Sequence, residues 1–255
     1  MEAIEFLDAI YGDVEGYVNI VTMDPLDEEE TVKSKFVEWP AKRDFAQRYL
    51  SMREDENVYC SVGVFTGKSR TGDDAGAKCN VVWAEADTCP PSEFAVEPSL
   101  VVRTSRNRTH CWWILDEPHP LAECSEVARS IYQRHREKGC DSGWQASKLL
   151  RVPGSVNTKY GADYPVHVVE NAGAVYTLDD LKGAYPVVRL EEAKKVGEAP
   201  PKCNDEQLRI IEDKLETPSL RSMYSDEIDD GRQSWSQTAK RFQMDLFRAR
   251  FNDNE

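Results

Sequence analysis

Two acidic residues separated by a single alanine offer the clearest chemistry in the sequence. Glu85 and Asp87 end an apolar run that begins at Val81. Side chains two residues apart on a β-strand point to the same face, so this spacing predicts two neighbouring carboxylates at a strand end. Carboxylate oxygens are the hard ligands that Mg²⁺ and Mn²⁺ prefer. A solvent-exposed strand edge that binds nothing fits the same residues.

Basic residues and a histidine stand immediately before the most apolar run of the chain. Arg106, Arg108 and His110 lead into the sequence Cys-Trp-Trp-Ile-Leu at 111–115. Guanidinium groups match phosphate oxygens and an imidazole adds one directional hydrogen bond, so this group suits a triphosphate. A histidine that only packs in the core explains His110 without any ligand.

A third polar group lies between residues 139 and 159. Asp141 stands in the turn-forming sequence Gly-Cys-Asp-Ser-Gly, and an apolar strand then passes through a Pro-Gly turn into a polar loop. Lys148, Arg151 and Lys159 make this stretch locally basic. Taken alone, Asp141 reads as an ordinary turn residue.

The elements that must position these side chains are strands interleaved with helices. Segments rich in β-branched and aromatic residues predict six strands, at 17–22, 58–65, 80–87, 100–104, 111–115 and 165–169. Apolar residues at three-to-four spacing predict helices at 41–52 and 121–136. The polar stretch 105–109 between two strands predicts an antiparallel hairpin. The fold class expected is α/β of the α+β kind, a mixed sheet with flanking helices rather than a doubly wound parallel sheet.

Beyond residue 185 the composition changes, which places a domain boundary near 190. We expect a catalytic domain at 1–190, a charged linker at 191–203 and a helical segment at 204–255. The last helix carries much apolar surface with little around it to cover that surface. A helix-bundle domain that begins here and continues in a longer parent protein would explain it.

Overall charge and cysteine content limit the classes of function. The formal net charge of −14 argues against a protein that coats nucleic acid, so any DNA contact must be local. Seven cysteines without a CxxC pair are typical of a reduced cytoplasmic protein, and their irregular spacing argues against a structural zinc. No basic, apolar leader and no run of about 18 apolar residues is present, so we expect a soluble protein without a membrane span.

In this order the motifs resemble the archaeo-eukaryotic primase superfamily, in particular the primase-polymerase domains of phage and plasmid replication proteins. The family shows an acidic pair, then a serine-to-histidine stretch followed by aromatic residues, then an aspartate ahead of a Leu-Arg-x-Pro-Gly-x-x-Asn-x-Lys motif. The counterparts here are Glu85 with Asp87, residues 105–113, and Asp141 with residues 150–159. Two departures are Glu85, where aspartate is usual, and an arginine-rich rather than glycine-rich approach to His110.

The resemblance implies a catalytic core like an RNA-recognition motif and template-dependent joining of nucleoside triphosphates on single-stranded DNA. Two divalent ions, Mg²⁺ or Mn²⁺, would be held by Glu85, Asp87 and Asp141. The resemblance also implies nucleotide-binding residues, Ser105, Arg108, His110 and Arg151, and residues that contact DNA or phosphate, Arg106, Lys148, Asn157 and Lys159. It further implies a helicase domain after this one in the parent chain, working in the host cytoplasm if the protein is viral.

Three other interpretations remain open at this point. A rolling-circle nickase needs a paired-histidine metal site, whereas the four histidines here are isolated. An inactive primase-like module would bind nucleotide or DNA as a replication scaffold without catalysis. A structural zinc would have to gather residues such as Cys124, His135 and Cys140.

Overall fold

In the computed structural model of this 255-residue chain, residues 1–23, 31–71, 74–159 and 163–186 are described. They belong to one compact unit, Met1–Val188, and the remainder, Arg189–Glu255, is a second unit. The predicted linker at 191–203 and the predicted helical segment at 204–255 lie outside the described residues and stay predictions.

Single α-helices separate groups of consecutive strands along the described chain. The helices are α1 (Ala3–Tyr11), α2 (Arg43–Ser51), α3 (Leu121–His135) and α4 (Leu178–Ala184). The strands are β1 (Gly16–Met23), β2 (Val32–Trp39), β3 (Asn57–Ser61), β4 (Lys78–Asp87), β5 (Leu100–Ser105), β6 (Arg108–Pro120), β7 (Leu149–Arg151), β8 (Val156–Asn157), β9 (Tyr164–Pro165), β10 (His167–Asn171) and β11 (Val175–Tyr176). None of the helices described is both long and apolar enough to cross a membrane.

The first sheet, which we call sheet A, has the strand order β2-β1-β3-β7 with antiparallel neighbours. Its register places Tyr59 of β3 directly opposite Val21 of β1 and Arg151 of β7. Cross-strand partners share a face of the sheet, so the Tyr59 and Arg151 side chains lie side by side.

The second sheet, sheet B, contains β10, β5, β6 and β11 in that order, with β4 also paired to β6. β5 and β6 form the predicted antiparallel hairpin, in which Val102 stands opposite His110. β11 pairs with β6 in parallel, which makes sheet B mixed. β8 and β9 form a separate two-stranded ribbon.

Aromatic residues from β4 and β6 form the centre of the core. Trp83, Trp112 and Trp113 are completely buried, and the Phe6 ring of α1 meets Trp112 edge to face at 5.4 Å between centroids. Aromatic side chains bury more apolar area than other residues, so these contacts contribute strongly to folding. The result is a rigid base for the ends of β4 and β6.

The α+β class, the mixed sheet and the two predicted helices are confirmed, with helix bounds that differ from the prediction by a residue or two at most ends. The predicted strand at 58–65 is too long, because β3 ends at Ser61. At Gly63 an added Cβ would lie 2.6 Å from a Leu121 methyl group, and beyond Gly63 the residues Val64 and Phe65 form only isolated bridges, to Lys78 and Tyr17. Helices α1 and α4 and strands β2, β8 and β11 had no counterpart in the prediction.

Candidate active site

A cleft of about 150 Å³ opens where strands of sheets A and B meet. Sheet A contributes residues of β3 and β7, and sheet B contributes the ends of β4, β5 and β6. The lining residues are Tyr59, Glu85, Asp87, Thr104, Arg108, His110, Asp141, Leu149, Arg151, Asn157 and Lys159. Acidic and basic side chains therefore share one small space.

Glu85 and Asp87 reach the cleft from the end of β4. Ala84 and Ala86 are buried on the other face, as the strand period predicts. Between Ala84 and Asp87 the strand contains one extra residue relative to β6, and Asp87 has a φ of 49°. A bulge of this kind redirects side chains, and aspartate tolerates the left-handed region better than most residues. The bulge thus aims both carboxylates into the cleft.

Each carboxylate of the pair is held by a basic side chain. Lys148 donates a hydrogen bond from Nζ to Oε2 of Glu85, and Arg108 donates one from Nη1 to Oδ2 of Asp87. The two carboxylate side chains are only 19% and 17% exposed. Two partly buried carboxylates repel each other unless positive charge is nearby, and here the two cations supply it.

Asp141 joins the pair from a distant part of the sequence. Its backbone N–H donates to the Glu85 carbonyl oxygen at 2.8 Å, which ties the 141–143 turn to β4. The indole Nε1 of Trp83 donates to the Gly143 carbonyl oxygen at 2.7 Å. A Cβ at Gly143 would lie 2.5 Å from Oε2 of Glu85 and 2.9 Å from its Cβ, so only glycine permits this approach.

The carboxylate groups in the cleft are chemically suitable ligands for divalent cations. Glu85, Asp87 and Asp141 provide carboxylate oxygens, the ligands preferred by Mg²⁺ and Mn²⁺. Across the described ranges, no three His, Cys, Asp or Glu side chains are gathered closely enough to hold an ion. The three carboxylates line one cleft without forming a ready-made ion site, and Lys148 and Arg108 serve as the counter-ions of Glu85 and Asp87.

His110 is buried at the back of the cleft. Burial lowers its pKa to about 3, with smaller contributions from the positive charges of Lys148 and Arg151. Its Nδ1 atom is buried and has no hydrogen-bond partner in the described part of the chain. The imidazole is therefore neutral near pH 7, and its Nδ1 is a buried polar atom whose hydrogen bond is unsatisfied in the described part of the chain.

Arg151 lies on the sheet A side of the cleft with its guanidinium over the Tyr59 ring, 4.7 Å from the centroid. Its Nη1 donates to Oδ1 of Asn57 at 2.8 Å and to the Val156 carbonyl oxygen at 3.2 Å. Stacking and hydrogen bonds together fix the direction of a side chain that is only 7% exposed.

The loop after Arg151 brings Asn157 and Lys159 to the same cleft. Nδ2 of Asn157 donates to the Thr104 carbonyl oxygen at 2.6 Å, joining this loop to β5. Oδ1 of Asn157 accepts a hydrogen bond from the Lys159 backbone N–H at 3.2 Å. Both the Nδ2 and the Oδ1 atoms of Asn157 thus form hydrogen bonds within the protein. These bonds give a structural role to a residue that was expected to contact phosphate.

Three predicted site residues do not line the cleft among the residues described. Ser105 is buried in the β5–β6 hairpin opposite Arg108, and Arg106 is exposed at the hairpin turn. Lys148 reaches the cleft only through Glu85. The other eight predicted residues line it, and their proposed roles stay predictions.

The residues considered for zinc have other contacts. Both ring nitrogens of His135 lie within hydrogen-bond distance of backbone carbonyl oxygens, of Ile131 at 2.8 Å and of Glu93 at 3.2 Å. The Cys140 thiol points to the Glu85 carbonyl oxygen at 3.5 Å. Burial raises the pKa of this thiol to about 12, so it stays protonated.

Sequence reasoning missed Tyr59, Thr104 and Leu149 as lining residues and Asn57 as a partner of Arg151. Tyr59 and Asn57 belong to a short strand that resembles any buried strand in composition. Their relation to the cleft depends on the pairing of β3 with β7, about 90 residues later in the chain. The one available signal was the polar Asn57 at the start of an apolar strand.

No protein-family model matches the chain, and neither does any curated protein. Among solved structures, the chain is similar to the primase-polymerase domain of cyanophage S-2L, at 15% identity and a TM-score of 0.49 over 67% of this chain and 90% of that one. It is similar to the catalytic domain of primase RepB′ in complex with initiator DNA, at 17% identity and a TM-score of 0.48 over 71% and 91%. A further structure of primase RepB′ aligns at 16% identity and a TM-score of 0.49 over 97% and 78%.

All three alignments have TM-scores below 0.5 and identities of 15–17%. No fold family, substrate or activity is inferred from them. The chemistry of the cleft has to be argued from its own residues.

Proposed function

We propose that the chain is a template-dependent DNA primase-polymerase, which joins nucleoside triphosphates by two-metal-ion nucleotidyl transfer during phage or plasmid DNA replication. One observation carries the proposal. Three carboxylates from two distant segments, Glu85 with Asp87 and Asp141, line the same cleft as Arg108, Arg151 and a neutral histidine. The order of the sequence motifs is the second support.

In this proposal Glu85, Asp87 and Asp141 would draw together around two divalent ions, Mg²⁺ or Mn²⁺, once the ions displace Lys148 and Arg108 from Glu85 and Asp87. When bound, such ions lower the pKa of an attacking hydroxyl group and neutralise charge on the transferred phosphoryl group. The protein itself would bring the three carboxylates to one cleft. It would also supply Lys148 and Arg108 as counter-ions that the metal ions displace. No side chain has to act as a covalent nucleophile.

The opposite wall of the cleft is suited to the triphosphate. The Arg151 guanidinium is fixed in direction, and the Lys159 side chain comes from the next loop. His110 is neutral at physiological pH, so it donates or accepts one hydrogen bond without adding charge. Fixed donors of this kind stabilise charge in the transition state because they need no reorganisation.

DNA binding in this proposal is local and weak. With a net charge of −14, the protein as a whole repels the phosphate backbone, and only the basic residues around the cleft attract it. Affinity for single-stranded DNA should therefore fall steeply as salt concentration rises.

One structural observation favours a second candidate, a non-catalytic nucleotide- or DNA-binding module. Lys148 and Arg108 already neutralise Glu85 and Asp87, so these two carboxylates have counter-ions other than metal ions. In that case the cleft would bind a triphosphate through its basic residues and would never release the two carboxylates for catalysis.

An incorporation assay separates the two candidates. The protein is incubated with labelled nucleoside triphosphates, single-stranded DNA with or without an annealed primer, and Mg²⁺ or Mn²⁺. Metal-dependent products support the enzyme, and products without a primer show that it primes. Triphosphate binding without products under any of these conditions would overturn the enzymatic proposal and support the binding module.

A further inference from the structure

A single buried amide, that of Asn57 at the start of β3, connects two parts of the basic wall of the cleft. Asn57 is 3% exposed. Its Oδ1 accepts hydrogen bonds from Arg151 Nη1 at 2.8 Å and from the Thr158 backbone N–H at 3.3 Å. Its Nδ2 donates to Thr158 Oγ1 at 2.9 Å. One side chain therefore holds both the guanidinium and the loop that leads to Lys159.

The rest of β3 reinforces this arrangement. Asn57 and Tyr59 lie two residues apart, so their side chains share the face of sheet A that points to the cleft. The Arg151 guanidinium packs over the Tyr59 ring while Asn57 holds one of its amino groups. The carbonyl oxygen of an amide directs a guanidinium without adding a negative charge, whereas a carboxylate in its place would also reduce the positive potential.

We infer that Asn57 is a positioning residue for anion binding: it orients Arg151 and the Thr158–Lys159 segment toward the phosphates of a nucleoside triphosphate. This inference rests on the proposed function, because it names the residue that prepares the triphosphate wall of the same cleft. Asn57 acts through Arg151 and is not itself a catalytic residue. Replacing Asn57 should weaken triphosphate binding more than a replacement elsewhere that lowers the stability of the fold by the same amount.

The test is a double-mutant cycle on triphosphate affinity, measured by titration with a fluorescent nucleoside triphosphate without divalent ions. Asn57→Ala should weaken binding about tenfold, the typical worth of a hydrogen bond to a charged group. Arg151→Ala should weaken it at least as much. If Asn57 acts through Arg151, then Asn57→Ala adds almost nothing in the Arg151→Ala background.

Asn19 provides a matched control. It is 1% exposed on the neighbouring strand β1, donates to Ser34 Oγ at 2.9 Å and accepts from Arg70 Nε at 3.2 Å. Asn19 does not line the cleft, so Asn19→Ala should reduce thermal stability to a similar degree while leaving triphosphate affinity unchanged. Equal affinity for the two alanine variants would overturn the inference.

Asn57→Asp covers the case in which Asn57→Ala does not fold. This variant keeps the shape and the hydrogen bond to Arg151, replaces the Nδ2 donor to Thr158 Oγ1 with an oxygen and places a negative charge beside the guanidinium. Because the Thr158 hydroxyl can donate instead of accepting, thermal stability should stay close to that of the original protein, whereas triphosphate affinity should fall about tenfold or more. Unchanged affinity, or effects of Asn57→Ala and Arg151→Ala that simply add, would overturn the inference and leave the proposed function standing. If the unaltered protein binds no triphosphate either without divalent ions or with Mn²⁺, both fail.

Discussion

Lys148 donates a hydrogen bond to the Glu85 carboxylate across 63 positions of sequence. This contact places a protein cation at the acidic residue for which we propose a metal ion. The lysine and the metal ion then compete for the same carboxylate oxygen. The proposed metal site can therefore be tested by measuring metal binding, without an assay of activity.

Removal of Lys148 should strengthen metal binding. In Lys148→Met the Glu85 carboxylate loses its counter-ion, so Mn²⁺ should bind about fivefold more tightly, in line with roughly 1 kcal/mol for such a pair. Thermal unfolding with and without MnCl₂ measures this as a larger stabilisation by the ion. Lys138→Met is the matched control, because Lys138 pairs with Glu93 outside the cleft. An equal response of the two variants to Mn²⁺ would contradict the competition.

Gly143→Ala should disturb the acidic pair. The new Cβ would meet Glu85 at both Oε2 and Cβ, and the Cβ contact cannot be relieved by rotation of the carboxylate. We expect a loss of about 1–3 kcal/mol in the free energy of unfolding and weaker Mn²⁺ binding. Gly183→Ala in α4 meets nothing within 4 Å and serves as the control, with unchanged or slightly higher stability. Normal Mn²⁺ affinity in Gly143→Ala would refute the close packing of this turn on Glu85.

His110 should make stability depend on pH. Its pKa of about 3 lies below the value near 6.5 of an unfolded histidine, so the unfolded chain takes up a proton that the folded protein does not. This contribution is complete above pH 6.5 and is lost as pH falls toward 3, by at most about 1.4 kcal/mol per pH unit.

The effect is measured as a difference between variants, because carboxylates also titrate in this range. Urea unfolding of the original protein should lose more stability between pH 6.5 and 4 than that of His110→Asn. His167→Asn, which replaces an exposed histidine, should follow the original protein. Parallel curves for the original protein and His110→Asn would show that His110 is not buried in its neutral form.

The sequence predicted that Glu85 and Asp87 share one face of a strand, because that signal is local. The alternation of Ala84, Glu85, Ala86 and Asp87 is a property of one strand, and the β5–β6 hairpin depends on a short polar turn. The alternation of side chains along a strand could not predict the bulge at the end of β4 or the φ of 49° at Asp87.

What the sequence could not provide were the contacts between distant strands. Tyr59 reaches Arg151 because β3 pairs with β7, and Lys148 reaches Glu85 because the 141–148 segment folds back on β4. Ser105 was assigned to the nucleotide from its place in a motif, whereas the hairpin buries it opposite Arg108. Such pairings depend on the whole fold rather than on spacing within a segment.

The most direct test of the central claim removes both carboxylates of the pair in the incorporation assay. Glu85→Gln with Asp87→Asn keeps the shapes, and asparagine tolerates the left-handed backbone at position 87. Glu93→Gln with Glu123→Gln is the control, since those residues form surface ion pairs with Lys138 and Lys182. The account predicts that metal-dependent nucleotide incorporation falls by a factor of roughly 10² or more in the first variant and is unchanged in the second. Full incorporation by the Glu85→Gln, Asp87→Asn variant would contradict the assignment of catalysis to this cleft.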